Sequence, residues 1–113
     1  MATFDGTLYV EAFENMERGR KTVYAVLNTL EYSMMSSGDR LEFGSHGSIT
    51  IGTVRRYPNL EALCEAESWQ NLVPEANSET EAIASIRAPD EWNAEIEKER
   101  GVLALRVRET RRK

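Results

Sequence analysis

Met16-Glu17-Arg18-Gly19-Arg20-Lys21-Thr22-Val23-Tyr24-Ala25-Val26-Leu27 is the stretch from which the fold can be read. Before it, Val10, Phe13 and Met16 recur at helical spacing, and Glu14 sits four residues ahead of Arg18 in the favourable order. The spacing predicts a helix over about Glu11–Arg18. Gly19 follows as its C′ residue, where a left-handed backbone costs a glycine nothing. Beyond Gly19 the period changes from 3.6 to 2. Val23, Ala25 and Leu27 make one face of a predicted strand, and Thr22, Tyr24 and Val26 the other. A single glycine thus separates a helix from a strand and leaves Arg18, Arg20 and Lys21 at the helix C-terminus. The helix dipole alone favours cations there by about 0.3–1 kcal/mol.

Working outward, Thr7–Val10 reads as a short strand ahead of the helix, and Glu31–Met35 as a single helical turn after the strand. Ser37-Gly38-Asp39 is turn chemistry, and Leu41 and Phe43 alternate with Arg40 and Glu42 in the next strand. Gly44-Ser45-His46-Gly47 reads as a hairpin loop, with His46 at its tip. Ile49 and Ile51 share a phase that Val54 breaks, which predicts a bulge near Gly52. Asn59 is placed to cap a helix burying Leu60 and Leu63. Ser78-Glu79-Thr80-Glu81 is a capping box for a helix carrying Ala82, Ile83 and Ile86. Asp90 is the expected cap of a last short helix carrying Trp92 and Ile96. Gly101 ends it, and Leu103, Leu105 and Val107 make one face of a closing strand. The order β-α-β-β-β, helical insertion, β predicts an α+β fold. Its mostly antiparallel strands form a small curved sheet or closed barrel with helices packed around it.

The 113 residues fit one domain, residues 1–113, with a basic C-terminal tail at residues 109–113. Cys64 is the only cysteine and His46 the only histidine, so neither an intramolecular disulfide nor a Cys/His zinc cluster is expected. Cys64 lies among Leu60 and Leu63 and reads as a small buried hydrophobe. No apolar run approaches the roughly 20 residues of a membrane helix, and Met1–Val10 does not read as a signal peptide. A cytoplasmic location is the default expectation. The net charge of −5 is uneven: residues 61–100 hold 11 acids and 3 bases, residues 101–113 hold 1 acid and 5 bases. The global balance argues against general nucleic-acid binding, while the arginine-rich end leaves room for a local basic patch.

Met16–Phe43 resembles the core of the ASCH domain family, whose members have a PUA-like β-barrel and the motif G-x-K-x-x-E-x-R followed by a Gly-Asp turn and an apolar strand. Gly19, Lys21, Gly38-Asp39 and Leu41–Phe43 carry the likeness. It continues through Val54–Glu61, Leu72-Val73-Pro74 and Glu99–Val107, nearly the whole chain. Two motif positions differ, Tyr24 standing for the family's Glu and Val26 for its Arg. Small ASCH enzymes hydrolyse the amide of N4-acetylcytidine with a lysine, a threonine and a later glutamate, and other members are thought to bind RNA. In this chain the resemblance implies Lys21 and, for the carboxylate, Glu67 or Glu65. The family's threonine aligns with Tyr24, not with Thr22.

Amide hydrolysis needs an activated nucleophile and a group to take its proton. A lysine can assist if burial or neighbouring charge brings its pKa from about 10.4 toward roughly 7–8. Thr22 and Tyr24 share a strand face beside Lys21, but Thr22 is two residues, about 6–7 Å, from the aligned position. The catalytic set, if the chain is an enzyme, is therefore Lys21, Thr22, Tyr24 and Glu67. The leading expectation is a binding module for RNA or a nucleotide-like ligand in a cleft beside Gly19–Tyr24. Tyr24 would stack on a base, and Arg20, Lys21 and Arg55 or Arg56 would contact phosphates. Trp69 and Trp92 read as helix-packing residues, with base stacking as the alternative. An N4-acetylcytidine-type amidohydrolase is the second expectation. A protein-interaction domain using the acidic helices of residues 61–100 is the third. None of the three calls for a cofactor, metal or membrane.

Overall fold

The turn at Gly19 forms as its sequence requires. In the computed structural model, which describes all residues Met1–Lys113, helix α1 spans Val10–Glu17 and Gly19 has φ +76°. The Gly19 N–H donates to Met16 O and the Arg20 N–H to Asn15 O, the paired bonds of a Schellman motif. The Lys21 N–H also donates to Asn15 O, and the chain enters strand β2, Val23–Leu27. Phe13 and Met16 are the buried stripe of α1.

Four further strands join β2: β1 at Thr3–Asp5, β3 at Arg40–Phe43, β4 at Gly47–Tyr57 and β5 at Val102–Arg112. They form one sheet in the order β1-β3-β4-β5-β2. Two expectations are corrected here. The first strand is Thr3–Asp5, and Thr7–Tyr9 is loop. Tyr9 and Val10 are 79% and 38% exposed, with no strand beside them, whereas Thr3–Asp5 runs parallel to β3. The Ala2 N–H donates to the Asp39 carboxylate, which together with the Ser36 N–H holds that carboxyl below its usual range. The sheet is also not a closed barrel. Its other three ladders are antiparallel, but β1 and β2 are edges that do not hydrogen-bond to each other, leaving a curled half-barrel with a seam.

The register of β4 against β5 shifts on both sides of Ile51, the bulge expected near Gly52. It bends two eleven-residue strands enough to curl the sheet. The residues expected as a basic tail continue β5, with Glu109–Arg112 paired to Gly47–Thr50. Arg112 also ion-pairs with Glu17 and lies over the Phe13 ring.

Helices α2 at Leu60–Glu67 and α3 at Glu79–Arg87 cover the convex face, and α4 at Ala94–Arg100 leads into β5. Asn59 and Ser78 cap the first two as expected, accepting from the Ala62 and Glu81 N–H groups. The cap of α4 is Asn93 rather than Asp90, because its side chain accepts from the Glu95 and Ile96 N–H groups, and Trp92 therefore precedes the helix. One apolar core lies between sheet and helices and includes Val23, Ala25, Leu63, Cys64, Leu72 and Ala104. The other fills the curl and includes Phe13, Val26, Leu41, Phe43, Ile51 and Leu105. Strand β2 and the first half of β5, Val102–Leu105, are buried on both faces, which accounts for their nearly unbroken apolar runs.

The acidic helices are tied together by one cluster centred on the buried Glu97. Glu97 accepts from Arg87, from the Trp92 indole and from the Leu60 N–H, and Arg87 also forks onto Glu61. Burial alone raises the Glu97 pKa, but these donors outweigh it and hold the carboxyl below its usual range.

Candidate functional site

The seam between β1 and β2 is where side chains with chemistry meet. Two tyrosines span it: the Tyr24 hydroxyl donates to Thr7 O at 2.8 Å and the Tyr32 hydroxyl to Asp5 O at 2.5 Å. Behind them lies a cavity of about 750 Å3, within the usual ~300–1,000 Å3 of ligand sites. Its walls are the Thr7–Tyr9 loop, β2 from Tyr24 to Leu27, Leu72-Val73, and the segment from Ser85 to Trp92. Apolar and aromatic groups dominate, and Tyr9, Tyr24, Tyr32 and Trp92 contribute rings.

Lys21 lines this cavity. Its side chain is 7% exposed and Nζ donates to Leu72 O at 2.5 Å. The ammonium lies 5.5 Å from the centroid of the Tyr24 ring, within cation–π range. Burial brings the Lys21 pKa down from 10.5 to about 8, against the opposing pull of Glu75. The Schellman turn aims the residue inward, and the backbone bond from the Thr22 N–H to Asn71 O brings up the segment that supplies the Leu72 carbonyl. Burial also pushes the Tyr24 hydroxyl well above its usual pKa, so it remains protonated at any working pH. The Tyr24 ring packs edge-on against Phe43, with centroids 5.4 Å apart.

The other residues picked from sequence are dispersed. Thr22 precedes β2 and lines a separate depression of about 290 Å3 with Glu17, Gly19 and Val107–Thr110. Lys21 borders both openings. Glu67 accepts a bond from the Tyr57 hydroxyl at 2.5 Å and does not line the large cavity, and neither does Glu65. Arg20, Arg55 and Arg56 are exposed and line neither opening. Trp92 lines the cavity while its indole N–H is bound to Glu97, and Trp69 is half-buried and packs against the core between sheet and helices. The structure thus brings together Lys21 and Tyr24 from the sequence-derived set.

Sequence reasoning missed the acidic part of the lining. Glu31, Glu75, Asp90 and Glu91 line the cavity, four carboxylates against the single amine of Lys21. Glu75 is tethered to α1 by a bond from the Asn15 amide. No group of three or more His, Cys, Asp and Glu side chains gathers as a metal site would require, and Cys64 is fully buried with its thiol pushed up to about 11. No helix is long and apolar enough to cross a membrane.

No family model and no curated protein matches the chain. Its fold is similar to the crystal structure of hypothetical protein PH0355, with a TM-score of 0.84 at 24% identity over 93% of this chain and 96% of that one. It is also similar to the solution NMR structure of protein PF0455 from Pyrococcus furiosus, with a TM-score of 0.74 at 23% identity over 94% of each chain. At these identities the likeness is one of fold: a curled five-stranded half-barrel with helices on its outer face.

Proposed function

We propose that this chain is an ASCH-like module of PUA-like architecture that binds an uncharged, nucleoside-like ligand in the seam cavity. The single observation that carries the reading is the cavity's composition. A buried amine and four aromatic rings share a largely apolar lining with four exposed carboxylates. Rings and apolar walls favour a flat heterocycle. The carboxylates repel phosphate, so the cavity favours a nucleoside over a nucleotide or an RNA backbone. Lys21, a retained motif residue, lines this cavity, whereas Gly19 lines the smaller depression. Arg20, Arg55 and Arg56, the expected phosphate contacts, lie outside the lining.

The second reading, an amidohydrolase, is favoured by the Lys21 pKa of about 8, which leaves a fraction of the amine neutral near neutral pH. It lacks a nucleophile with a base in reach. The Tyr24 hydroxyl donates to Thr7 O, Thr22 borders the other opening, and Glu67 is engaged by Tyr57. Binding without turnover is the better fit to this geometry.

Isothermal titration of cytidine and cytidine 5′-monophosphate at 50 and 500 mM salt tests the proposal. The nucleoside should bind with little salt dependence, and the monophosphate at least tenfold more weakly. Tighter binding of the monophosphate, weakening steeply with salt, would refute it. Rapid hydrolysis of N4-acetylcytidine abolished by Lys21→Ala would transfer the assignment to the second reading.

A further inference from the structure

Tyr24, Ala25, Val26 and Leu27 all line the large cavity. Successive side chains of a strand point to opposite faces, so a cavity that touches four in a row meets the strand along its edge. That edge is the free one, because β2 is hydrogen-bonded to β5 alone.

The register shows which backbone groups face it. The Val107 N–H donates to Thr22 O and the Asn28 N–H to Gly101 O, which sets the phase of the ladder. With Tyr24 opposite Leu105 and Val26 opposite Leu103, the even-numbered residues of β2 exchange bonds with β5. The N–H and C=O groups of Val23, Ala25 and Leu27 therefore point away from it. Leu27 O accepts from the Thr29 N–H, and Val23 is not part of the cavity lining. Ala25 is left with a donor and an acceptor aimed into the cavity, and no backbone or side-chain bond of the protein reaches either. Buried backbone polar groups are paired in the great majority of cases, so this pair is available to a ligand in the cavity.

We propose that the Ala25 N–H and C=O read the ligand by pairing with the adjacent acceptor and donor of an amide-like edge, such as that of a pyrimidine base. This rests on the binding reading above and names the part of the ligand that is read. The open edge is too short for an added peptide strand. Val23 lies outside the cavity at one end and Leu27 turns back on Thr29 at the other, so only Ala25 presents both groups to the cavity. The occupant is accordingly a small molecule.

Uridine and N3-methyluridine separate this proposal from a site that only stacks bases. Both offer a flat ring, but the methyl group removes the ring donor and blocks approach to the edge. By titration on the unaltered protein, uridine should bind at least tenfold more tightly. Uridine should also slow hydrogen exchange of the Ala25 amide at least tenfold, and N3-methyluridine should leave it unchanged. Equal affinities with no change at the Ala25 amide would overturn the edge-reading proposal while leaving nucleoside binding intact. Failure of uridine, cytidine and N3-methyluridine alike to bind would overturn both.

Discussion

Replacing Lys21 by methionine should make the fold more stable at neutral pH. The buried amine has a pKa of about 8 against an ordinary 10.5, and at about 1.4 kcal/mol per pKa unit the charged form costs roughly 3 kcal/mol in the folded protein. Methionine fills a similar volume without the charge but leaves Leu72 O without its donor, a loss of about 1 kcal/mol. The net gain is about 2 kcal/mol at pH 7, or roughly 8 °C in Tm for a domain of this size. The sign follows from proton linkage. Because the folded pKa lies below the unfolded one, the unfolded state binds more protons between pH 8 and 10.5. Wild-type stability therefore rises across that window, and the full penalty is present below it. The advantage of Lys21→Met should shrink by roughly 2 kcal/mol between pH 7 and pH 10. Urea denaturation of both proteins at the two pH values measures this, and contributions from other titrating groups cancel in the difference. A variant less stable at pH 7, or a difference that does not change with pH, would refute the assignment of Lys21 as a buried amine retained at the expense of stability.

Two further outcomes test the framework around the site. Arg87→Met leaves Glu97 buried without its ion-pair partner and should cost about 3 kcal/mol in denaturant titrations. Glu97 and Glu61 have depressed pKa values, so their contribution is present above about pH 4.5 and is lost as pH falls through the lower folded values; that acid loss should be smaller in the variant. Gly101→Ala should destabilise by more than about 2 kcal/mol, since φ is +78° and the added Cβ would lie 2.4 Å from Tyr57 O. A thermal melt within a degree of wild type would contradict it.

Local signals in the sequence carried much of this fold. The change of period across Gly19 located α1, its Schellman turn and β2, and the phase break at Val54 located the bulge that curls the sheet. Asn59 and Ser78 marked helix starts because a cap acts within three residues of itself. What escaped was set by distant partners. Thr3–Asp5 is a strand only because β3 lies alongside it, and nothing in three residues announces that. Closure failed for the same reason, since the pairing of sheet edges leaves no local trace. In the site, Lys21 and Tyr24 were legible as neighbours of one glycine turn. Their true surroundings, the Leu72 carbonyl, the Glu75, Asp90 and Glu91 carboxylates and Trp92, lie roughly fifty to seventy residues away in sequence.

Whether the seam cavity is the ligand site can be decided by mapping amide shifts of isotope-labelled protein during a cytidine titration. The expected perturbations fall on Thr7–Tyr9, Tyr24–Leu27, Leu72-Val73 and Ser85–Trp92, the four walls of the cavity, while Arg55, Arg56 and Arg106–Arg112 stay unchanged. Shifts confined to those arginines of β4 and β5, with the cavity walls silent, would contradict the assignment.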